Sequence, residues 1–325
     1  MLKCASFFAG VGGIDLGFKQ AGFQTVYANE FDEYAAETFE CNFPVTVDRR
    51  DINNVPTDEI PDFDIMLAGF PCQAFSIAGY RQGFDDEKGR GNLFFQLTRI
   101  IREKQELGKA PRICFFENVK NLVGHDNGNT FKVICAELDR LGYKIEQKVM
   151  NACEYGNVPQ NRERIYVVAF KNDSDYNTFK MPLPIELTRT IKDVIDFDAV
   201  VDDKYYYTPK GCYFYEQLKQ EAVNKNTIYQ WRRVYVRENK SNLVPTLTAN
   251  MGTGGHNVPI ILTDDGKYRK LTPRECFNVQ GFPRSFILPD QSNGRLYKQA
   301  GNSVVVPVIS RIAEKIRNSI NLEKE

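Results

Sequence analysis

Short apolar runs closed by glycine-containing turns alternate with helix-spaced stretches through the first half of the chain. Residues 4–9 form an apolar run ending in Gly10-Val11-Gly12-Gly13. Residues 14–21 carry apolar positions at helical spacing and stop at Gly22. Residues 25–29 read as a strand, and Asp32 is placed to cap the helix that follows. A buried strand over 64–68 is closed by Gly69-Phe70-Pro71-Cys72, and 93–103 is amphipathic. A strand over 112–116 runs into Glu117-Asn118-Val119; 131–141 reads as a helix and 165–170 as another apolar strand. This alternation predicts a mainly parallel sheet covered by helices on both faces.

The pattern breaks near 172–200, where Asn172-Asp173-Ser174-Asp175 and the prolines at 182 and 184 suggest a boundary. The stretch beyond is rich in Tyr, Lys and Asn without a clear helical repeat. It reads as a second, smaller and irregular domain. Helical periodicity returns at 306–320. No internal repeat or low-complexity tract is present.

A length of 325 residues suits two domains on a prior of roughly 150 residues each. Lys and Arg balance Asp and Glu at 42 each, which argues against a generally basic nucleic-acid coat protein and an acidic disordered tail. The balance is uneven along the chain. Residues 204–240 and 266–298 each carry about +5 and the remainder about −10. Either the solvated surface is merely uneven or a basic face meets phosphates. No apolar run approaches the roughly 18 residues of a membrane span. The N-terminal residues lack a signal peptide's polar cleavage region, so a cytoplasmic location is expected. The eight cysteines form no CxxC pair, which fits reduced thiols rather than a zinc site or disulfide framework. With only His125 and His256, both read as loop residues, a Ser-His-Asp triad or His-rich metal centre starts at poor odds.

Three candidate sites follow strand ends. The Gly10-Val11-Gly12-Gly13 turn lets backbone approach a ligand, but Asp15 occupies the third glycine position of a dinucleotide fingerprint. Glu30, about 20 residues on, is placed to receive two ribose hydroxyls, so a nucleoside ligand without pyrophosphate fits. Cys72, preceded by Pro71, is a candidate nucleophile facing the same crevice. Glu117 directly after four apolar residues needs a partner or a job, and partial burial would suit it to carry a proton near neutral pH.

Gly12-Gly13, Pro71-Cys72-Gln73, Glu117-Asn118-Val119, Gln160-Asn161-Arg162-Glu163-Arg164, Arg269-Lys270-Leu271-Thr272-Pro273-Arg274-Glu275 with Gln280-Gly281-Phe282-Pro283, and Gly301-Asn302-Ser303-Val304-Val305 stand in this order. The series closely resembles the bacterial cytosine-5 DNA methyltransferases of restriction–modification systems, from residue 3 to about 315, fading within 183–265. The resemblance implies an α/β fold: the Rossmann-like mixed sheet of S-adenosylmethionine (AdoMet)-dependent methyltransferases, with helices on both faces, plus a smaller irregular target-recognition domain. The implied division is 1–182 for AdoMet binding and catalysis, 183–271 for target recognition, and 272–325 for a hinge and a C-terminal helix returning to the catalytic domain. The implied reaction methylates carbon 5 of a flipped-out cytosine in a specific short duplex. Cys72 is the nucleophile at carbon 6, Glu117 holds ring nitrogen 3 and the exocyclic amine, and Arg164 and Arg162 contact the base oxygen and flanking phosphate. Phe8, Gly10, Gly12, Gly13, Glu30, Phe31, Asp51, Ile52, Pro71 and Leu93 line the AdoMet site, and Asn302, Ser303 and Val304 close its methionine end. S-adenosylhomocysteine is the product and no metal is implied. Thr246 and Leu247 resemble the Thr-Leu recognition element, and Arg232, Arg233 and Arg237 are candidates for base or phosphate contacts. Residues 74–92 look like the mobile active-site loop, with Gly79, Gly83, Gly89 and Gly91 as hinges.

The implied partners are double-stranded DNA and a cognate restriction endonuclease, with a monomer and no membrane. Three positions depart from the family: Ser6 for Asp, Asn278 for Arg, and Ala78 for a serine found in one member. An RNA cytosine-5 methyltransferase on this fold and a non-catalytic DNA-binding regulator are the competing readings. The intact Cys72, Glu117, Arg162 and Arg164 set argues against the regulator.

Overall fold

A computed structural model describes residues 1–70, 93–232, 234–252 and 258–320. The chain divides into two compact units. The first comprises 1–150, 163–183 and the chain from Ile309 onward; the second comprises 151–162 and 184–308.

The first unit is built on a seven-stranded sheet. Its strands are β1 (Lys3–Phe7), β2 (Gln24–Asn29), β3 (Val47–Asp48), β4 (Ile65–Ala68), β5 (Ile113–Val119), β6 (Lys144–Asn151) and, after β7 (Gln160–Asn161) of the second unit, β8 (Glu163–Phe170), in the order β3-β2-β1-β4-β5-β8-β6. The pairs from β3 to β5 are parallel. β8 runs antiparallel to β5, from Ile113 opposite Phe170 to Val119 opposite Arg164. The sheet is therefore mixed, as in the Rossmann-like class. The parallel connections carry the helices Gly13–Gln20, Glu33–Glu40 and Leu93–Glu106. Asp32 caps the second of these by accepting from the backbone of Tyr34 and Ala35, as its position suggested. β4 is buried throughout and β1 beyond its first residue, which explains their continuous apolar runs.

This order places the functional turns. The chain moves from β1 outward to β3, then back across β1 to β4, so the order reverses between β1 and β4. Ligands of open α/β sheets bind outside the strand carboxyl ends at such a switch point. The turn after β1 is the glycine turn, and the residues after β4 lead into Pro71-Cys72. The end of the chain supports the turn's helix from behind. A Cβ at Gly17 would stand 2.6 Å from Cγ2 of Ile309. Arg317 Nη1 donates to Ala21 O at 2.9 Å. Both partners belong to the helix Val306–Ser319, where helical periodicity was expected.

The second unit has a four-stranded sheet in the order β10-β9-β12-β13, formed by β9 (Tyr229–Trp231), β10 (Val236–Glu238), β12 (Ile260–Leu262) and β13 (Tyr268–Lys270). The helix Tyr215–Glu221 covers it through Phe214, Leu218 and Ala222. β11 (Val244–Pro245) pairs parallel with β7. The Thr272 hydroxyl and Glu275 carboxylate form a capping box at the helix Pro273–Val279, with Pro273 opening it. Arg269, fully buried, spans both carboxylate oxygens of Glu275 at 2.8 Å each. Arg269 and Glu275 therefore cancel one another inside, and the net excess over 266–298 rests on the other charged side chains of that stretch.

Candidate active site

The glycine turn and the end of β2 meet around Glu30. The backbone N–H of Gly10 donates to Oε2 of Glu30 at 2.8 Å, and that of Asp32 to Oε1 at 2.8 Å. Gly10 has φ +55°, and a Cβ there would meet nothing within 4 Å. The turn thus presents bare backbone to open space. Gly12, at φ +84°, has a different reason: a Cβ would approach Cδ2 of Phe39 to 2.9 Å. Phe8 holds a left-handed backbone at φ 53°, a conformation worth about 1–3 kcal/mol of strain in a non-glycine residue. Phe31 leaves 73% of its surface exposed beside Glu30, free to stack on a planar ligand.

The next strand end is tied to this one. Asn29 is buried, and its side-chain amide donates to the carbonyls of Asp48 and Arg50 at 2.9 Å each. That fixes the chain entering Asp51 and Ile52. Asp51 Oδ1 accepts from the Asn53 backbone at 2.9 Å and side chain at 2.7 Å, while Ile52 is buried. Leu93 packs partly buried against the core at the head of its helix. Beneath the turn, Asp15 is fully buried and accepts from Ser6 at 2.9 Å and Thr25 at 2.8 Å. Desolvation raises its carboxyl to about 6, opposed by those hydroxyl bonds. Ser6, the departure from Asp, is thus a donor to a carboxylate rather than a carboxylate.

Glu117 lies on β5 with its neighbour Asn118, both buried. Arg164, entering from β8, places Nε 3.2 Å from Oε1 of Glu117. Its Nη1 donates to the carbonyl of Glu163 at 2.8 Å. At the end of β4, a Cβ on Gly69 would stand 3.8 Å from Oε2 of Glu117. Asn118 donates its side-chain amide to the carbonyl of Phe70 at 2.8 Å. Phe70 is packed against Phe94 and Phe116, at ring separations of 5.4 and 6.1 Å. The residue before Pro71-Cys72 is thereby held from both sides. Pro71, Cys72 and the loop over 74–92 lie outside the described residues, as do Arg233 and His256.

Arg162 belongs to the second unit. It is 3% exposed; Nη1 donates to Leu247 O at 2.8 Å, and Nη2 to Gly301 O at 3.1 Å and Ser303 O at 2.5 Å. It joins the Thr-Leu element to the Gly-Asn-Ser-Val segment. Gly301 has no room for a side chain, since its Cβ would overlap the Thr248 backbone. Leu247, Ser303 and Val304 are buried, whereas Thr246 and Asn302 are exposed; Thr246 Oγ1 donates to Asn161 O at 2.6 Å. Arg232 and Arg237 are exposed on β9–β10 and its turn. Asn278, the second departure, donates to Val194 O at 3.4 Å.

Three contributors carried no assigned role in the sequence reading: Asn29, Asn118 as the clamp on Phe70, and Thr25 beside Asp15. Asn118 was visible inside its motif. Asn29 and Thr25 had no local signal, because their partners are 19 or more and 10 residues away.

A family model described as C-5 cytosine-specific DNA methylase matches residues 2–318. The chain is 59% identical over 321 residues to the Type II methyltransferase M.Bsp6I of Bacillus sp. (strain RFL6), covering 98% of this chain and 100% of that one. It is 41% identical over 335 residues to the Type II methyltransferase M.HhaI of Haemophilus parahaemolyticus, covering 99% and 96%. Among solved structures, a DNMT2 mutant of Spodoptera frugiperda has the same fold, with TM-score 0.75 at 21% identity over 98% of this chain and 100% of that one. The chain belongs to the C-5 cytosine-specific DNA methylases. It is a DNA (cytosine-5)-methyltransferase with Type II enzymes as relatives, and the likeness read from its motifs is borne out.

Proposed function

We propose that this enzyme methylates carbon 5 of one cytosine within a specific short duplex sequence, through a covalent adduct between Cys72 and carbon 6. The observation that carries this reading is the pairing of Glu117 with Arg164 beside the Asn118-anchored approach to Pro71-Cys72. The target carbon is hidden in duplex DNA, so the base must leave the stack at a cost of a few kcal/mol. The Cys72 thiolate forms a bond to carbon 6, and the displaced electron pair is taken up over the ring. Glu117 holds the proton at ring nitrogen 3 and Arg164 stabilises the base oxygen, which favours the enamine. Carbon 5 of that enamine then acquires the methyl group. Loss of its proton and expulsion of Cys72 restore the aromatic ring.

Bound AdoMet would supply an electrophilic methyl group and leave as S-adenosylhomocysteine. The glycine turn fits it: Gly10 faces open space, and Glu30 sits at the neighbouring strand end to receive the ribose. Phe8, Gly12 and Gly13 complete the turn, Phe31 stacks on adenine, and Asp51 and the Ile52 backbone meet its edge, with Leu93 and Pro71 nearby. Asn302, Ser303 and Val304 serve the methionine end. Arg162 is a positioning residue for that segment. In this reading 1–182 binds the donor and catalyses, 183–271 reads the target with Arg232, Arg233, Arg237, Thr246 and Leu247, and 272–325 forms the hinge and returning helix. The enzyme works as a cytoplasmic monomer and protects host DNA from a cognate endonuclease.

The test is methyl transfer from labelled AdoMet into duplex DNA and into RNA by wild type and Cys72→Ala. Label in DNA from wild type, with none from the variant despite retained DNA binding, is expected. Full activity of the variant, or preference for RNA, would overturn the reading.

A further inference from the structure

We propose that the β9–β10 ribbon reads the target in the major groove, with Gln230 and Arg237 as adjacent base-contacting residues and Arg232 beside them. This rests on the DNA reading above and deepens it, because Gln230 had no role and the arginines had no assigned contact.

The two faces of the ribbon differ. Tyr229, Trp231 and Val236 point into the core of the second unit, at 0%, 7% and 5% exposure. Side chains alternate along a strand, so Gln230 and Arg237 occupy the other face, and they are paired directly across the ladder. The ladder continues toward the turn, where Arg232 N donates to Tyr235 O at 2.8 Å. This sets Arg232 and Tyr235 on that same outer face.

The ribbon rests on a fixed base. Phe214 stacks on Trp231 with centroids 4.3 Å apart and planes 7° from parallel. Trp231 Nε1 donates to the Tyr213 hydroxyl at 2.8 Å, and the Tyr229 hydroxyl donates to Asn224 O at 3.0 Å. The buried aromatics therefore have their polar atoms satisfied, which keeps the outer residues in register. The outer side is uncommitted. Among the described residues, neither Arg232 nor Arg237 has an ion-pair partner, and no side-chain hydrogen bond engages Gln230. Val234, in the turn of the ribbon, is 74% exposed.

A two-stranded ribbon fits the major groove of B-DNA, whose width is about 12 Å. Arginine reads O6 and N7 of guanine with two donors, and glutamine reads N6 and N7 of adenine. A pair of such side chains opposite each other on one exposed face contacts neighbouring base pairs. Arginine and glutamine also bind phosphates, but those contacts carry no sequence information, so the sequence dependence of each variant separates base reading from phosphate binding.

The experiment profiles methylation of a randomised duplex library by wild type, Gln230→Ala, Arg237→Ala and Arg237→Lys. All three substitutions lie on the face of the ribbon turned away from the core, and thermal melting checks that each variant folds. Each alanine variant should relax preference at one position, by about five- to hundredfold, with the two positions adjacent. Duplexes carrying 7-deazaguanine at the position assigned to Arg237 should lose that preference in wild type and change little for Arg237→Ala. Uniform loss across all sequences with a shallower salt dependence would make Arg237 a phosphate contact and overturn the assignment. An unchanged motif in both alanine variants would overturn it too. Absence of any methylated cytosine with wild type would instead overturn the underlying reaction.

Discussion

Arg164 reaches across the antiparallel pair β5–β8 to hold Nε 3.2 Å from Oε1 of Glu117. A buried carboxylate is thus matched by a half-buried guanidinium before any substrate arrives, and it is aimed rather than merely tolerated. Glu117→Gln keeps the shape and removes the acid. Single-turnover methyl transfer should fall by about 10²- to 10⁴-fold, while DNA and S-adenosylhomocysteine affinity stay within a few-fold. An undiminished rate would remove Glu117 from the proton chemistry.

Arg162 belongs to the same sequence motif but does different work. Its guanidinium is consumed by three carbonyls of two distant segments. Arg162→Ala should therefore lower the urea midpoint, with a stability loss of about 3 kcal/mol or more. Arg162→Lys should recover only part of this, since one ammonium cannot span the three acceptors. Wild-type stability combined with lost transfer would make Arg162 catalytic instead.

Asp15 makes stability depend on pH in a defined direction. Burial raises its carboxyl from 3.8 to about 6, so the folded state binds that proton more tightly than the unfolded chain. Its contribution is therefore most favourable below pH 3.8 and declines as pH rises toward and beyond 6. Asp15→Asn removes this slope. The stability of wild type minus that of the variant, measured by urea unfolding, should decrease from about pH 4 to 7. A flat difference would mean that burial does not burden the charged form.

Asn29 touches no proposed ligand yet holds the chain carrying Asp51 and Ile52 beside Glu30. Asn29→Ala frees two carbonyls and loosens that edge. Calorimetry should find S-adenosylhomocysteine bound about tenfold or more weakly, with DNA affinity unchanged. Equal weakening of both ligands would indicate general unfolding.

Much of the fold was legible because its signals are local. Continuous apolar runs marked the buried strands, Asp32 its helix start, and glycine turns the strand ends. The antiparallel direction of β8 was not legible from periodicity, because strand direction leaves no mark on hydrophobic spacing; the family resemblance implied a mixed sheet without saying which strand is reversed. In the site, Glu117 stood out because a carboxylate after four apolar residues is costly. The separate roles of Arg162 and Arg164 did not, since their partners lie up to 141 residues away in sequence. Charge counting found an uneven chain but could not tell that Arg269 is spent on Glu275 inside the second unit.

The proposed reaction turns on the covalent step at Cys72. Duplex DNA carrying 5-fluorocytosine at the target blocks the final proton loss, so the adduct should persist. With AdoMet present, mass spectrometry of the digested complex should place a methylated fluorocytosine on the peptide containing Cys72, and Cys72→Ser should form none. Tight binding and turnover of ordinary DNA without any such adduct, or an adduct on a different cysteine, would rule out Cys72 as the nucleophile.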